Sequence, residues 1–205
     1  MPNFYNSDEA FRYFTDAVIV FKSICKLCLK DEPKSSQNIL SMRSKILGLE
    51  LILAVLEKPG TTFLNRQEFI DIIRGTLCDG LLKYSVSNEK SVFSLSLSIF
   101  FNLFISFREH LKAEILIFLE TIFLKILDSG NSIYHHKFMI LTVFDKLSMN
   151  TKHMLEIFIN YDCDKNSKDI FMRMIDSLSK IAQGKFSKSE HSYIITVHEE
   201  YSLRV

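Results

Sequence analysis

Tryptophan is absent from this 205-residue chain, proline occurs three times and glycine six times. Glycine and proline supply the tight turns of sandwiches and barrels, so their scarcity starves an all-β fold of its corners. The same shortage excludes collagen-like, proline-rich and glycine/serine-linker classes. Charge of one sign is missing too: 25 Lys+Arg stand against 24 Asp+Glu, a formal +1, so no global field draws the chain to nucleic acid. Only four cysteines are present, at 25, 28, 78 and 163, too few and too scattered for a disulfide framework. The opening MPNFYNSDEAFRYF carries early acids and no short apolar core before small residues, which argues against a secretory signal and for a cytoplasmic setting.

What is present is apolar and helical. Hydrophobic residues make up 47% of the chain and phenylalanine alone contributes 18, ample for a packed core. The row Phe11, Phe14, Val18, Phe21 continues into Cys25 and Cys28 at helical spacing, which reads the lone C-x-x-C as core packing, not as zinc or redox chemistry; a structural zinc site needs four ligands. The spacing predicts a first helix after Ser7 as N-cap, with Asp8 and Glu9 in its first turn, running to about Lys30. Lys22, Lys26 and Lys30 line its outer face, a solvated row that also suits contact with anionic lipid. After the loop DEPKSSQN, the segment from Ser41 to Lys58 is apolar almost all round from Ile46 to Leu56 and should be buried on most sides before Pro59 and Gly60 stop it.

Asn65 with Glu68 reads as a capping box for a helix carrying Phe69, Ile70, Ile72, Ile73, Leu77 and Leu81, weakened by Gly75 and Gly80. No charge occurs from Ser91 to Phe107, about 26 Å of helix at 1.5 Å per residue, but its serines and Asn102 favour a central helix of a stacked array over a bilayer span. The next greasy helix, from His110, contains Glu120 and Lys125 and ends at Gly130. Further helices follow from His135, after Thr151 as cap, and after Ser167 as cap up to Gly184. Starts near Leu40, Asn88 and His135 give a period of about 47 residues, which suits an armadillo/HEAT-like helical solenoid of about eight helices. A helical domain over residues 1–184 and a polar linker with the start of a further helix over 185–205 complete the expected organisation.

Chemistry-bearing motifs are few. Asp162, Asp164 and Asn166 have the spacing that opens a calcium loop, but position six is Ser167 and position twelve is Arg173, where glycine and glutamate are required. His110, His135, His136, His153, His191 and His198 form no H-x-x-x-H pattern and read as surface or capping residues. Phosphate-cradling and nucleophile-elbow motifs are missing. No metal and no cofactor is therefore expected, and no catalytic residue is nominated.

The run Asn160, Tyr161, Asp162, Cys163, Asp164 places two carboxylates, an amide and an aromatic between two apolar helices. Asp162 or Asp164 is expected to satisfy free N–H groups at the start of the following helix, with Tyr161 packed between layers. The alternatives are a turn that fixes the helix angle and a docking surface for another domain.

NYDCD resembles the HUS box of the region upstream of the catalytic domain in large brefeldin A-inhibited-type Arf guanine-nucleotide exchange factors. Collinear segments agree with that family: VFKSICKL from Val20, RSKILGLELIL from Arg43, FSLSLSIF from Phe93, HLKAEI from His110 and DSLSKIAQG from Asp176. The resemblance implies an all-α, armadillo-like regulatory region that packs with the N-terminal dimerisation domain of the same or another chain. It further implies Arf/Arl-type small GTPases as partners, peripheral contact with Golgi membranes, and a part in autoinhibition and vesicle transport. Asn160, Tyr161, Asp162, Cys163 and Asp164 carry over as an interdomain and structural element. The family's catalytic domain has no counterpart here, so exchange activity is not expected. A silent Mon-type trafficking scaffold is the alternative.

Overall fold

The computed structural model describes residues 7–29, 39–163 and 168–183. These hold nine helices and no strand. Two units are distinguished, Met1–Glu114 and Ile115–Val205. The loop expected at 31–38, the caps at Ser167 and Gly184 and the segment 185–205 lie outside the described residues.

The first unit holds α1 (Ser7–Leu29), α2 (Ile39–Glu57), the short α3 (Thr61–Asn65), α4 and α5 (Lys90–Phe107). Helix α4 runs over 67–84 as Gln67–Ile72, a π-turn Ile73–Leu77 and Cys78–Tyr84. The phenylalanines form its centre. Phe63 lies 4.5 Å from Phe69 and meets Phe21 and Phe107 edge-on at 5.1 and 5.8 Å. Such edge contacts contribute about 0.5–1.5 kcal/mol each beyond simple burial. Phe14 meets Phe69 at 5.9 Å, and the Arg66 guanidinium sits 4.9 Å from the Phe14 ring centre. Phe11, the first residue of the apolar row, is exposed, whereas Phe21, Cys25 and Cys28 are buried as core residues.

Helix α5 is long and apolar enough to cross a membrane by length and composition, yet half of that window is buried inside the protein. Its polar interruptions are settled within the helix: the Ser96 hydroxyl donates to the Val92 carbonyl at 2.8 Å and the Asn102 amide to the Ser98 carbonyl at 2.9 Å. Helix α2 differs from the sequence expectation. Leu49, Ile52 and Leu56 are buried, but Leu40, Leu47, Leu51 and Val55 are exposed, because the helices packed on it, α1 and α5, leave that stripe uncovered. Gly48 permits the close approach of α1: a Cβ there would stand 2.6 Å from the Cys28 sulfur.

Helix α6, whose parts are Lys112–Phe118, a π-turn Leu119–Leu124 and Lys125–Asp128, begins in the last residues of the first unit and lies mostly in the second, which continues with α7 (Tyr134–Ser148), α8 (Thr151–Tyr161) and α9 (Ile170–Ala182). Phe123 meets Phe118 at 6.0 Å and Phe144 at 5.2 Å, and Ile140, Leu147, Ile157, Ile170 and Met174 complete the core. The two π-turns start 46 residues apart, at 73 and 119, close to the period expected from the sequence. Helices α2, α5 and α7 start at 39, 90 and 134.

Several local expectations change. Asn65 ends α3 and donates its side chain back to the Thr61 carbonyl at 2.9 Å, so it caps nothing; Arg66 occupies the N-cap of α4 without a side-chain cap bond. Asn150, not Thr151, caps α8, its side-chain oxygen accepting from the Lys152 N–H at 3.0 Å. His136 is buried with Lys137, so it is not a surface residue; the inward face of α7 carries both into the unit. His191 and His198 lie outside the described residues.

Candidate functional site

The acidic aromatic corner is the one sequence-nominated site with a defined geometry. Helix α8 ends at Tyr161, which is 7% exposed and anchors the turn in the core. Asp162 is the C-cap, its N–H donating to the Phe158 carbonyl at 2.9 Å. Its carboxylate reaches across the intervening loop to α9: Oδ1 accepts from the Phe171 N–H at 2.8 Å and Oδ2 from the Met172 N–H at 3.1 Å. With Asp169 as N-cap, Phe171 and Met172 occupy the second and third helical positions, whose amides an N-cap side chain ordinarily satisfies. Asp162 thus caps α9 from the preceding helix, and its charge faces the positive end of the helix dipole.

This arrangement frees the local N-cap from capping. Asp169 makes no side-chain cap bond and adopts φ 51°, ψ 41°, a left-handed conformation that aspartate tolerates better than most residues. Its carbonyl still accepts from the Arg173 N–H at 2.9 Å and starts the helix. Phe158 and Phe171 meet edge-on at 5.7 Å beside the cap.

Three more contacts hold the corner to α6. The Glu120 carboxylate takes Lys168 Nζ at 3.0 Å and an Arg173 guanidinium nitrogen at 3.4 Å. Hydrogen bonding from Lys168, ahead of the weaker Arg173 contribution, holds the Glu120 carboxyl below its ordinary value. The buried Ser177 hydroxyl donates to Asp128 Oδ1 at 2.6 Å. The sequence offered a signal for Glu120, an acid in the middle of an apolar helix; nothing in it paired that acid with Lys168, 48 residues on.

Of the nominated residues, the structure brings Tyr161 and Asp162 into the joint, leaves Asn160 half-buried at its edge and exposes Cys163. Asp164 lies outside the described residues. With both carboxylate oxygens of Asp162 engaged by backbone N–H groups, the corner works as a joint between helices. Among the described residues no group of three or more His, Cys, Asp or Glu is placed to hold a metal. Cys25, Cys28 and Cys78 are buried, and desolvation pushes their thiols up to about 12, 11 and 12, so these sulfurs stay protonated and chemically quiet.

In comparison with known proteins, residues 13–170 match the family model described as Mon2/Sec7/BIG1-like, HUS domain. The rat and human proteins named brefeldin A-inhibited guanine nucleotide-exchange protein 1 are each 41% identical over 179 residues, covering 84% of this chain and 10% of the relative. The Arabidopsis thaliana protein named brefeldin A-inhibited guanine nucleotide-exchange protein 2 is 43% identical over 171 residues, 82% of this chain and 10% of that protein. The chain therefore spans about a tenth of the length of these relatives.

Proposed function

The chain belongs to the Mon2/Sec7/BIG1-like HUS domain family, and from that premise we propose that it is a non-catalytic regulatory region of an Arf guanine-nucleotide exchange factor in Golgi vesicle transport. It works by protein–protein contact. Its surface engages the N-terminal dimerisation domain of the same or another chain, and Arf/Arl-type small GTPases are further partners. The parent protein is cytoplasmic and peripheral at Golgi membranes, and the helices continue an armadillo-like solenoid. The matched part corresponds to the HUS region, and no catalytic exchange domain is detected in the chain.

One observation carries this reading. Asp162 spends its carboxylate on α9, so the HUS box builds a fixed joint whose outer residues, Asn160 and Cys163, border the solvent. A fixed joint presents those residues in one geometry, which lowers the ordering cost of docking. Binding of the family's N-terminal domain to the full chain tests it. Cys163→Arg, at an exposed position, should abolish capture while leaving the melting temperature unchanged; undiminished capture overturns the docking role. Nucleotide release from Arf in the presence of the chain should match the uncatalysed rate, and clear acceleration overturns the non-catalytic assignment. The Mon-type scaffold remains the second reading because the family description includes it, whereas the curated relatives above are exchange proteins. A catalytic domain in the parent gene separates the two.

A further inference from the structure

Helix α2 carries an apolar row that no described helix covers. Leu40, Leu47, Leu51 and Val55 are 68%, 53%, 42% and 37% exposed, with the small, exposed Ser44 and Ala54 between them. Steps of three and four residues along such a row make one seam of a helix. Helix α1 widens the seam. Leu27 comes within 3.8 Å of the Cβ position at Gly48, and Val20, two turns earlier on the same side of α1, is 58% exposed. Large apolar side chains gathered in this way mark an interface.

The charges beside the row say what fits it. Arg43, Glu50 and Glu57 follow one edge of the row at intervals of seven residues, and all three are exposed. Among the described residues none of the three forms an ion pair or a side-chain hydrogen bond. Arg43 and Glu57 stand symmetrically about Glu50, seven residues to either side. A copy of the helix lying parallel would set Arg43 on Arg43 and Glu57 on Glu57. A copy running antiparallel sets each Arg43 on the other copy's Glu57, twice over. The edge therefore complements itself after a half-turn, as a two-fold contact between identical subunits requires.

We propose that two copies of the chain associate through this row, α2 against α2 in antiparallel order, with the two-fold axis near Glu50. Leu47 and Leu51 of each copy form the centre of the contact, and two Arg43–Glu57 pairs close its ends. Glu50 faces its own copy, a like-charge contact that keeps the pairing reversible. The footprint, about 27 Å along α2 and about 20 Å across α1 and α2, is roughly 500 Å² per copy, below the ~800 Å² of a standard interface. Association is accordingly weak, in the range of about 10–100 μM. This goes beyond the regulatory role above and rests on none of it.

Sedimentation of the full 205-residue chain over about 1–300 μM tests the proposal, and the mean mass should rise from monomer toward dimer. Leu51→Glu, at an exposed position, should keep the parent's melting temperature and stay monomeric throughout. Arg43→Glu and Glu57→Arg should each weaken self-association by about tenfold or more. An equimolar mixture of those two variants should pair about as tightly as the parent, because each copy then supplies the charge that the other needs. A parent chain that stays monomeric overturns the proposal, and so does a dimer that survives Leu51→Glu. A mixture that remains as weak as its components overturns it as well. A monomeric chain that sediments with vesicles of anionic phospholipid would assign the row to a membrane surface and overturn the proposal equally.

Discussion

Replacing Asp162 by Ala removes both bonds that start α9, and the loss can be bounded from the geometry. The Phe171 and Met172 amides give up acceptors at 2.8 and 3.1 Å. An ordinary N-cap loss costs about 0.5–2 kcal/mol, and a carboxylate facing a helix N-terminus adds about 0.3–1 kcal/mol. Met172 is exposed and Phe171 half-buried, so water recovers part of what the carboxylate supplied. About 2 kcal/mol is expected for Asp162→Ala. Asp162→Asn keeps one acceptor oxygen and should cost about half as much, near 1 kcal/mol. For a chain of this length the Ala variant should melt about 4–8 °C lower. Hydrogen exchange supplies the local measure: protection of the Phe171 and Met172 amides should fall about thirtyfold in the Ala variant, the factor equivalent to 2 kcal/mol. A cost under about 0.5 kcal/mol, or unchanged protection at those two amides, would refute the remote-cap account. Equal costs for Asn and Ala would do the same, because they would show that the surviving oxygen makes no bond.

Three other outcomes are expected. Gly48→Ala drives a methyl into the Cys28 sulfur at 2.6 Å and should destabilise by about 1–3 kcal/mol, with most of the loss recovered in Gly48→Ala/Cys28→Ala; additive costs in denaturant titrations would disprove the clash. Thiol titration of the native chain should label Cys163 at once and Cys25, Cys28 and Cys78 only after denaturation; fast labelling of any buried thiol contradicts its raised proton affinity. Glu120 has a folded-state value below its unfolded one, so its stabilisation is present above the ordinary value of 4.5 and is lost as pH falls through the lower folded value. The group is partly exposed, which limits the effect to about 0.5 kcal/mol. Glu120→Gln should flatten that acid limb, and an unaltered limb would show that Glu120 does not drive it.

Helix content and core were legible because both follow local pattern: the apolar row that runs through Phe21, Cys25 and Cys28 repeats at helical spacing, and these three are buried. The need for an acid at the corner was legible for the same reason, since an apolar helix start with free amides demands an acceptor. Asp162 meets that need. Boundaries and caps were less legible. Asn65 competes for its own helix's carbonyl and so cannot serve the next helix, while Asn150 takes the cap that the adjacent Thr151 also suited. The π-turns left no signature, because an extra residue in a helix changes the backbone ladder without changing composition. The Glu120–Lys168 pair depends on which loop returns to which helix, a long-range matter that spacing alone does not encode.

Those two wide turns bear on how the chain tolerates change in length. Each holds one residue more than a regular helix needs, at Ile73–Leu77 and Leu119–Leu124. A single-codon deletion inside either would be absorbed by tightening the turn, with the flanking faces still aligned on their cores, whereas the same deletion in α5 would rotate half a buried helix out of register. Natural length variation within α4 and α6 therefore has two soft points, one in each unit.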